Sequence, residues 1–378
     1  MNSRLSFSCL VAAAITLSSP AEIPAQSIAG RLQPLVDHGA LAGAVTLVAD
    51  KDKVLDVEAV GYEDVAAKKP MAKDALFWIA SMSKGMTTTA FMMLVDEGRV
   101  KLDDPVEKYL PEYKGVIVSG KKGELHEQPA HLLKVRDVMS HTGGVVPRSP
   151  KEPQIDILSL KDNVQVYPTV GLHFQPGTSY EYSNGGINTA GRIIEVISGM
   201  PYEKFMDEKL FQPLGMKDTT FWPNDEQVGR LAKSYKADKA KTGLEEVPVG
   251  QLTYPLTNRS RTPCPAGGLF STAADVGVFC QMLLNKGEWQ GKRYLTENAV
   301  KELSSRQTPA TLEQSYGFGF AVNGTKSFGH GGAYSTNMNI DLEHGLVTVF
   351  MVQNAGWLEE GKKAQGIFSK AANELFAK

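Results

Sequence analysis

The sequence predicts an α/β fold of the α+β kind: an antiparallel sheet flanked by terminal helices, with a mostly helical subdomain inserted. Three observations predict it. Strand-like runs lie near both ends, at Ala44–Val60 and again after Gly317. Between them apolar residues recur at helical spacing, as at Ala190, Ile193, Ile194 and Ile197. The first and last segments of the mature chain, Ser27–Asp37 and Gly361–Phe376, read as helices. Strands from the two ends then share one layer, and one discontinuous α/β subdomain results, about residues 27–75 and 265–378. The helical subdomain takes about residues 76–264, so 27–378 reads as a single domain.

Each element follows from local pattern. The first helix tolerates Pro34. Ala44–Ala49 and Val54–Val60 form a hairpin whose turn is Asp50–Lys53. A helix then starts near Ser81 and stops at Glu97-Gly98, and Pro105 opens a short one through Tyr109. In the middle, helices are expected over Leu132–Ser140, Asn188–Ser198, Tyr202–Leu214 and Ala273–Leu284, three of them closed by Gly199, Gly215 and Gly287. The polar stretch from Thr220 to Leu256 reads as exposed loops or hairpins. After Gly317, strands are expected at 318–322, 327–330, 336–342 and 346–352, with Glu343-His344-Gly345 as a hairpin turn.

Bulk properties narrow the function classes. The chain has 378 residues, 22% charged, with a formal net charge of −2, which predicts no general affinity for nucleic acid or acidic membranes. Residues 1–26 read as a secretory signal: Arg4, then the apolar run Leu5–Leu17, too short to span a bilayer, then small residues suited to cleavage. The mature protein is therefore expected to be exported, periplasmic or secreted, without stable membrane insertion. Signal removal leaves Cys264 and Cys280, an even pair able in principle to form a disulfide. No metal-ligand spacing is present, and no metal or organic cofactor is expected.

The chemistry is expected at Ser81-Met82-Ser83-Lys84. Ser and Lys three apart on a helix share a face. At a helix start, free N–H groups and the positive dipole end favour developing negative charge. Apolar flanks (Leu76–Ala80 and Ala90–Val95) place Lys84 inside the protein, where desolvation disfavours its charged form. A neutral amine beside a hydroxyl accepts its proton and activates it for acyl transfer.

Two further segments carry candidate groups. Tyr180–Gly186 is a polar, glycine-bearing loop; if it is extended, Tyr182 and Asn184 face the same way. A phenol beside a lysine could be held ionised and share base duty, and an Asn amide can both accept and donate. Phe328–Ala333 ends a strand, where glycines allow close approach of a substrate and His330 could donate to a carbonyl or carboxylate. His141 and Thr142, in Ser140–Gly144, read as structural. Pro265-Ala266-Gly267-Gly268 reads as a glycine-rich turn able to line a pocket. No Gly-x-Ser-x-Gly elbow occurs, which counts against an α/β-hydrolase fold.

Ser81-x-x-Lys84, Tyr182-x-Asn184 and His330-x-Gly332, in that order, resemble the active-site triplet of the serine β-lactamase and penicillin-binding-protein superfamily. The Tyr-x-Asn form is closest to class C β-lactamases, D-alanyl-D-alanine carboxypeptidases, D-aminopeptidases and family VIII carboxylesterases. The resemblance implies a β-lactamase/transpeptidase-like fold. It implies Ser81 as acylated nucleophile, Lys84 and Tyr182 as bases, Asn184 as a substrate and Lys84 contact, and an oxyanion hole from the Ser81 and Ala333 N–H groups. Class C β-lactamases usually carry Lys-Thr-Gly at the third motif; His330-Gly331-Gly332 stands here, which fits the peptidase and esterase branches better. The expected function is an exported serine hydrolase acting on a small-molecule or peptide amide or ester. The rival is a ligand-binding protein that keeps the fold without hydrolysis; such a protein would be expected to lose Ser81, Lys84 or Tyr182, and all three are present.

Overall fold

The structure is a computed structural model, and it describes residues 26–151 and 153–377. All of the expected signal segment except Gln26 lies outside the described residues. The main sheet has seven strands: β1 (Gly43–Ala49), β2 (Val54–Asp64), β3 (Lys69–Pro70), β4 (Ala321–Asn323), β5 (Ser327–Gly331), β6 (Asn337–Asp341) and β7 (Leu346–Met351). Their order is β4-β5-β6-β7-β1-β2-β3, and every neighbouring pair is antiparallel. The closing pair joins the chain's two ends, with Val45 opposite Met351 and Leu47 opposite Val349.

The sheet is covered on both faces at its centre, and this explains why β1 and β7 are apolar almost throughout rather than alternating. One face receives α1 (Ile28–Asp37) and α7 (Ala364–Phe376), the terminal helices. Ile28, Leu32 and Leu35 meet Val48, Phe350, Phe368 and Ala372 there. Phe350 stacks on Phe368 with centroids 5.5 Å apart; such pairs add about 0.5–1.5 kcal/mol beyond the area they bury. Ser27 caps α1 by accepting from the Gly30 N–H. The opposite face, through Val45, Leu47, Val347 and Val349, packs against α6 (Ala273–Leu284) and the helical layer beyond.

That helical layer is centred on α2 (Ser83–Asp96). Residues 83–94 of α2 are all buried, so the helix has no solvent face for the sequence to mark. Helix α5 (Asn184–Ser198) packs against it, and α3 (Val135–Met139) and α4 (Leu160–Val170) pack in turn on α5.

Several expected boundaries move, each for a local reason. Helix α5 begins at Asn184 rather than Asn188, because Ser183 is the cap: its Oγ accepts from the Gly186 N–H. The segment expected as one helix over 202–214 contains a π-helical stretch, Asp207–Phe211, between two α-helical ends. The strand expected at 318–322 is reduced to β4, since Gly319 is left-handed (φ 72°) and breaks the extended backbone. Helix α4 was not anticipated, although Ser159, which accepts from the Asp162 N–H, marks its start. The polar stretch after Thr220 does hold a hairpin, Ser234–Ala237 with Leu244–Val247. Cys264 and Cys280 are buried thiols in different apolar clusters and form no disulfide. Among the described residues, no helix is long and apolar enough to cross a membrane.

Candidate active site

Ser81 stands at the mouth of α2. Phe77-Trp78 pairs with Phe270-Ser271, and this short ribbon delivers the chain into a 3₁₀ turn, Ala80–Met82, that runs on into α2. Ala80 is held at φ 44°, in the left-handed region, which is uncommon for a residue with a side chain and clusters at functional sites. Ser83 fixes the turn: its hydroxyl donates to the Ala80 carbonyl at 2.6 Å and accepts from the Leu269 N–H at 3.2 Å. The result is a half-buried Ser81 above a wholly buried Lys84.

Lys84 Nζ lies 3.1 Å from Ser81 Oγ and 2.6 Å from the Ala266 carbonyl oxygen. Burial pushes the amine down to about 7, with Cys264 acting weakly in the opposite sense. A neutral amine here can donate one hydrogen to Ala266 and turn its lone pair to the Ser81 hydroxyl. The Ala266 carbonyl is itself held in place, because the Ala266 N–H donates to Asn188 Oδ1 at 3.2 Å, and Asn188 Nδ2 donates to the Tyr167 hydroxyl at 3.0 Å. Ala266 and Asn188 are site residues that sequence reasoning missed. The Pro265–Gly268 turn was marked as pocket-lining, but its use as a clamp on the amine is a contact across 182 residues.

Tyr182 hydrogen-bonds Ser81, and its ring centroid lies 4.6 Å from Lys84 Nζ. The residue is 37% exposed, while its hydroxyl lies 3.4 Å from His330 Nε2. Burial raises the phenol well above its ordinary value, more than the bond to Ser81 lowers it. The expectation of an ionised phenol is therefore corrected: burial outweighs the bond to Ser81, and the lysine over the ring face is itself close to neutral. Tyr182 is a neutral hydroxyl that can donate and relay, and Lys84 is the group whose free base is available near neutral pH.

Asn184 is half-buried at the first turn of α5, its N–H donating to the Pro147 carbonyl at 3.1 Å. The helix starts immediately after Ser183, so the alternation that would put Asn184 beside Tyr182 stops short of it. No side-chain hydrogen bond from Asn184 to Lys84 occurs among the described residues.

His330, on β5, is 9% exposed. Its Nδ1–H donates to the Gly331 carbonyl at 2.6 Å, so Nε2 is the bare nitrogen. Nε2 accepts from the Tyr316 hydroxyl at 2.9 Å, with the Tyr182 hydroxyl 3.4 Å away. Burial, helped by the nearby Lys84, pushes His330 down to about 3. The ring is neutral and its one N–H is committed inside the protein, which differs from the substrate donor expected from sequence. Tyr316, buried and raised well above its ordinary value, stays a donor and had not been singled out.

Gly332 follows for a steric reason. A Cβ there would meet Thr336 Oγ1 at 2.1 Å and the Ile79 carbonyl oxygen at 2.7 Å, so only glycine lets this strand end close on the turn that carries Ser81. The Gly332 N–H donates to Thr336 and its carbonyl accepts from Ser335, leaving Ala333 at the tip of a tight turn. No hydrogen bond from the Ser81 or Ala333 N–H is found among the described residues, which suits donors for an incoming oxyanion. Also among the described residues, no group of three or more His, Cys, Asp or Glu side chains could hold a metal ion.

Comparison with known proteins adds to this geometry. The Beta-lactamase family profile matches residues 28–371. An uncharacterized protein of Mycobacterium tuberculosis is 30% identical over 359 residues, 85% of this chain and 88% of its own. Esterase EstB of Burkholderia gladioli is 31% identical over 216 residues, 53% of each chain. Among solved structures, EstCE1, described as a hydrolase with promiscuous acyltransferase activity, superposes with a TM-score of 0.76 at 22% identity, over 91% of this chain and 97% of its own.

Proposed function

This chain belongs to the Beta-lactamase family, and we propose that it is a serine hydrolase cleaving a small ester or amide through an acyl-enzyme on Ser81. The observation that carries the reading is the 3.1 Å approach of Ser81 Oγ to a wholly buried, near-neutral Lys84 amine. In the first half-reaction the Ser81 proton passes to Lys84 as Oγ bonds to the substrate carbonyl carbon. The Ser81 and Ala333 N–H groups take the oxyanion; one such donor typically contributes about 3 kcal/mol to the transition state. As the carbonyl re-forms, the leaving oxygen or nitrogen receives a proton relayed from Lys84 through the Tyr182 hydroxyl. Water then adds to the acyl-enzyme, giving its proton to Lys84 by the same route, and Ser81 departs with a proton returned.

The third motif supports a preference within the class. A carboxylate-bearing β-lactam calls for a cation, and His330 is neutral with its N–H already used. The reading therefore favours neutral esters and amides over β-lactams, in keeping with the name of its Burkholderia gladioli relative. The N-terminal Arg4 and Leu5–Leu17 run supports work outside the cytoplasm.

A side-by-side turnover screen with p-nitrophenyl acetate, D-alanyl p-nitroanilide and nitrocefin tests the proposal. Turnover of the ester well above nitrocefin is expected, with a mass increase of one acyl group on Ser81 under rapid quench. Because Lys84 must be unprotonated, kcat/KM should rise with pH through about 7. Turnover without any Ser81 adduct, or none on all three substrates, would end this reading.

A further inference from the structure

Tyr182 lies on a loop, yet its hydroxyl has to stand within reach of Ser81, and one residue ties that loop down from both sides. The His141 carbonyl accepts from the Glu181 N–H at 3.1 Å, and its ring Nδ1 accepts from the Ser183 N–H, also at 3.1 Å. The two peptide N–H groups flanking Tyr182 thus end on a single residue. The His141 ring also packs against the Tyr182 ring, with centroids 4.6 Å apart, and against Tyr316, at 4.8 Å. His141 is 2% exposed and left-handed, at φ 62°. Conformations of this kind persist where the surroundings over-determine them.

The choice of histidine is informative. With Nδ1 accepting, the neutral ring carries its hydrogen on Nε2, and Nε2 is buried with no hydrogen-bond partner among the described residues. A phenylalanine would fill the same space without that orphaned N–H. The feature phenylalanine lacks is the Nδ1 acceptor on the Ser183 N–H, and the unfavourable Nε2 is retained along with it.

We propose that His141 is the positioning residue for Tyr182: it sets where the phenol stands relative to Ser81 and to the departing group, without touching substrate. The proposal rests on the Ser81 acyl-enzyme reading for its effect on rate, but not for its effect on the position of Tyr182. A mispositioning of the order of 1 Å at such a group costs about 100-fold in rate.

The test is a double-mutant cycle on p-nitrophenyl acetate hydrolysis with His141→Phe, Tyr182→Phe and the pair. His141→Phe is expected to lower kcat/KM by about 100-fold with Tyr182 present, and to cost less than about twofold once Tyr182 is Phe, since its action runs through that side chain. His141→Asn, whose Oδ1 takes the place of Nδ1, should recover most of the loss. If His141→Phe fails to fold, His141→Gln, whose polar end falls at the Nε2 position, takes its place in the cycle. An equal loss in both backgrounds, or no loss with Tyr182 present, overturns the proposal. A second measurement does not need turnover. With 3-fluorotyrosine at position 182, the ¹⁹F line should shift and broaden in His141→Phe and return in His141→Asn. An unchanged line overturns the positioning role even if Ser81 is acylated as expected. A changed line in a protein that forms no Ser81 adduct upholds it while sinking the hydrolase reading.

Discussion

The two halves of the site are built in opposite ways. Ser81 and Lys84 come from one continuous turn of helix, so their approach is a consequence of spacing, and α2 is buried on every side so that neither can drift. Tyr182 comes from a loop, and its place depends on the residue range 141–147: His141 takes the N–H groups of Glu181 and Ser183, the Val146 carbonyl accepts from the Ser183 hydroxyl at 3.0 Å, and the Pro147 carbonyl accepts from Asn184. Electrostatics divides the halves in the same way. Burial makes Lys84 a usable base by lowering it, whereas the same burial makes Tyr182 a poorer acid by raising it. One physical cause thus gives two roles, because the charged form of the first is its acid and the charged form of the second is its base.

The comparison can be broken most sharply at the nucleophile. Ser81→Ala should lower turnover by about 10⁴-fold or more, while circular dichroism and melting stay close to wild type, since the half-buried side chain loses one oxygen and leaves the backbone of the turn unchanged. Retained hydrolysis would move the chemistry elsewhere.

Lys84→Met comes next, with a loss of about 10³-fold in acylation expected from removal of the base. It also carries a stability signature. In the fold Lys84 is neutral above about 7, but in the unfolded chain it stays charged up to its ordinary 10.5. Between those values the unfolded state binds the extra proton, so stability rises with pH across the window, by at most about 1.4 kcal/mol per pH unit from this one group. Urea unfolding at three pH values in that window should show a shallower rise in Lys84→Met. An unchanged slope would mean that the amine is not held neutral.

The smallest expected effect is at His330. Its folded value is lowered from 6.5 to about 3, so the unfolded chain takes up a proton below about 6.5 that the fold refuses. Stability contributed this way is present above 6.5 and is lost as pH falls toward 3. His141, also depressed by burial, acts in the same direction. His330→Gln, which keeps an acceptor for the Tyr316 hydroxyl but does not titrate, should soften acid unfolding between pH 6.5 and 4 with a modest change in ester turnover. A variant as acid-sensitive as the parent would remove His330 from the account.

The fold was legible where one residue's neighbours in sequence are also its neighbours in space. The β1–β2 hairpin, the α5 stripe and the glycine stops at Gly199 and Gly215 are of that kind. Helix α4 was missed although its Ser159 cap was there to read, and the 3₁₀ entry to α2 was hidden because it depends on Ser83 reaching Leu269, 186 residues away. Within the site, the Ser81–Lys84 pair and the existence of a tyrosine and a histidine segment could be read directly. Their mutual arrangement could not. His330 looked like a donor to substrate because a lone strand-end histidine gives no hint that Tyr316 and the Gly331 carbonyl will occupy both its nitrogens.

By itself the sequence determined which groups are available, that a lysine must be buried beside a serine, and that strands from both ends would share one sheet. These follow from covalent spacing and from the hydrophobic pattern, which are local. Only the tertiary structure decided protonation and aim: Ala266 on the amine, His141 on the tyrosine loop, and Gly332 closing against Ile79. Those contacts join residues far apart along the chain, and desolvation, which sets the charge on Lys84 and His330, depends on everything packed around them at once.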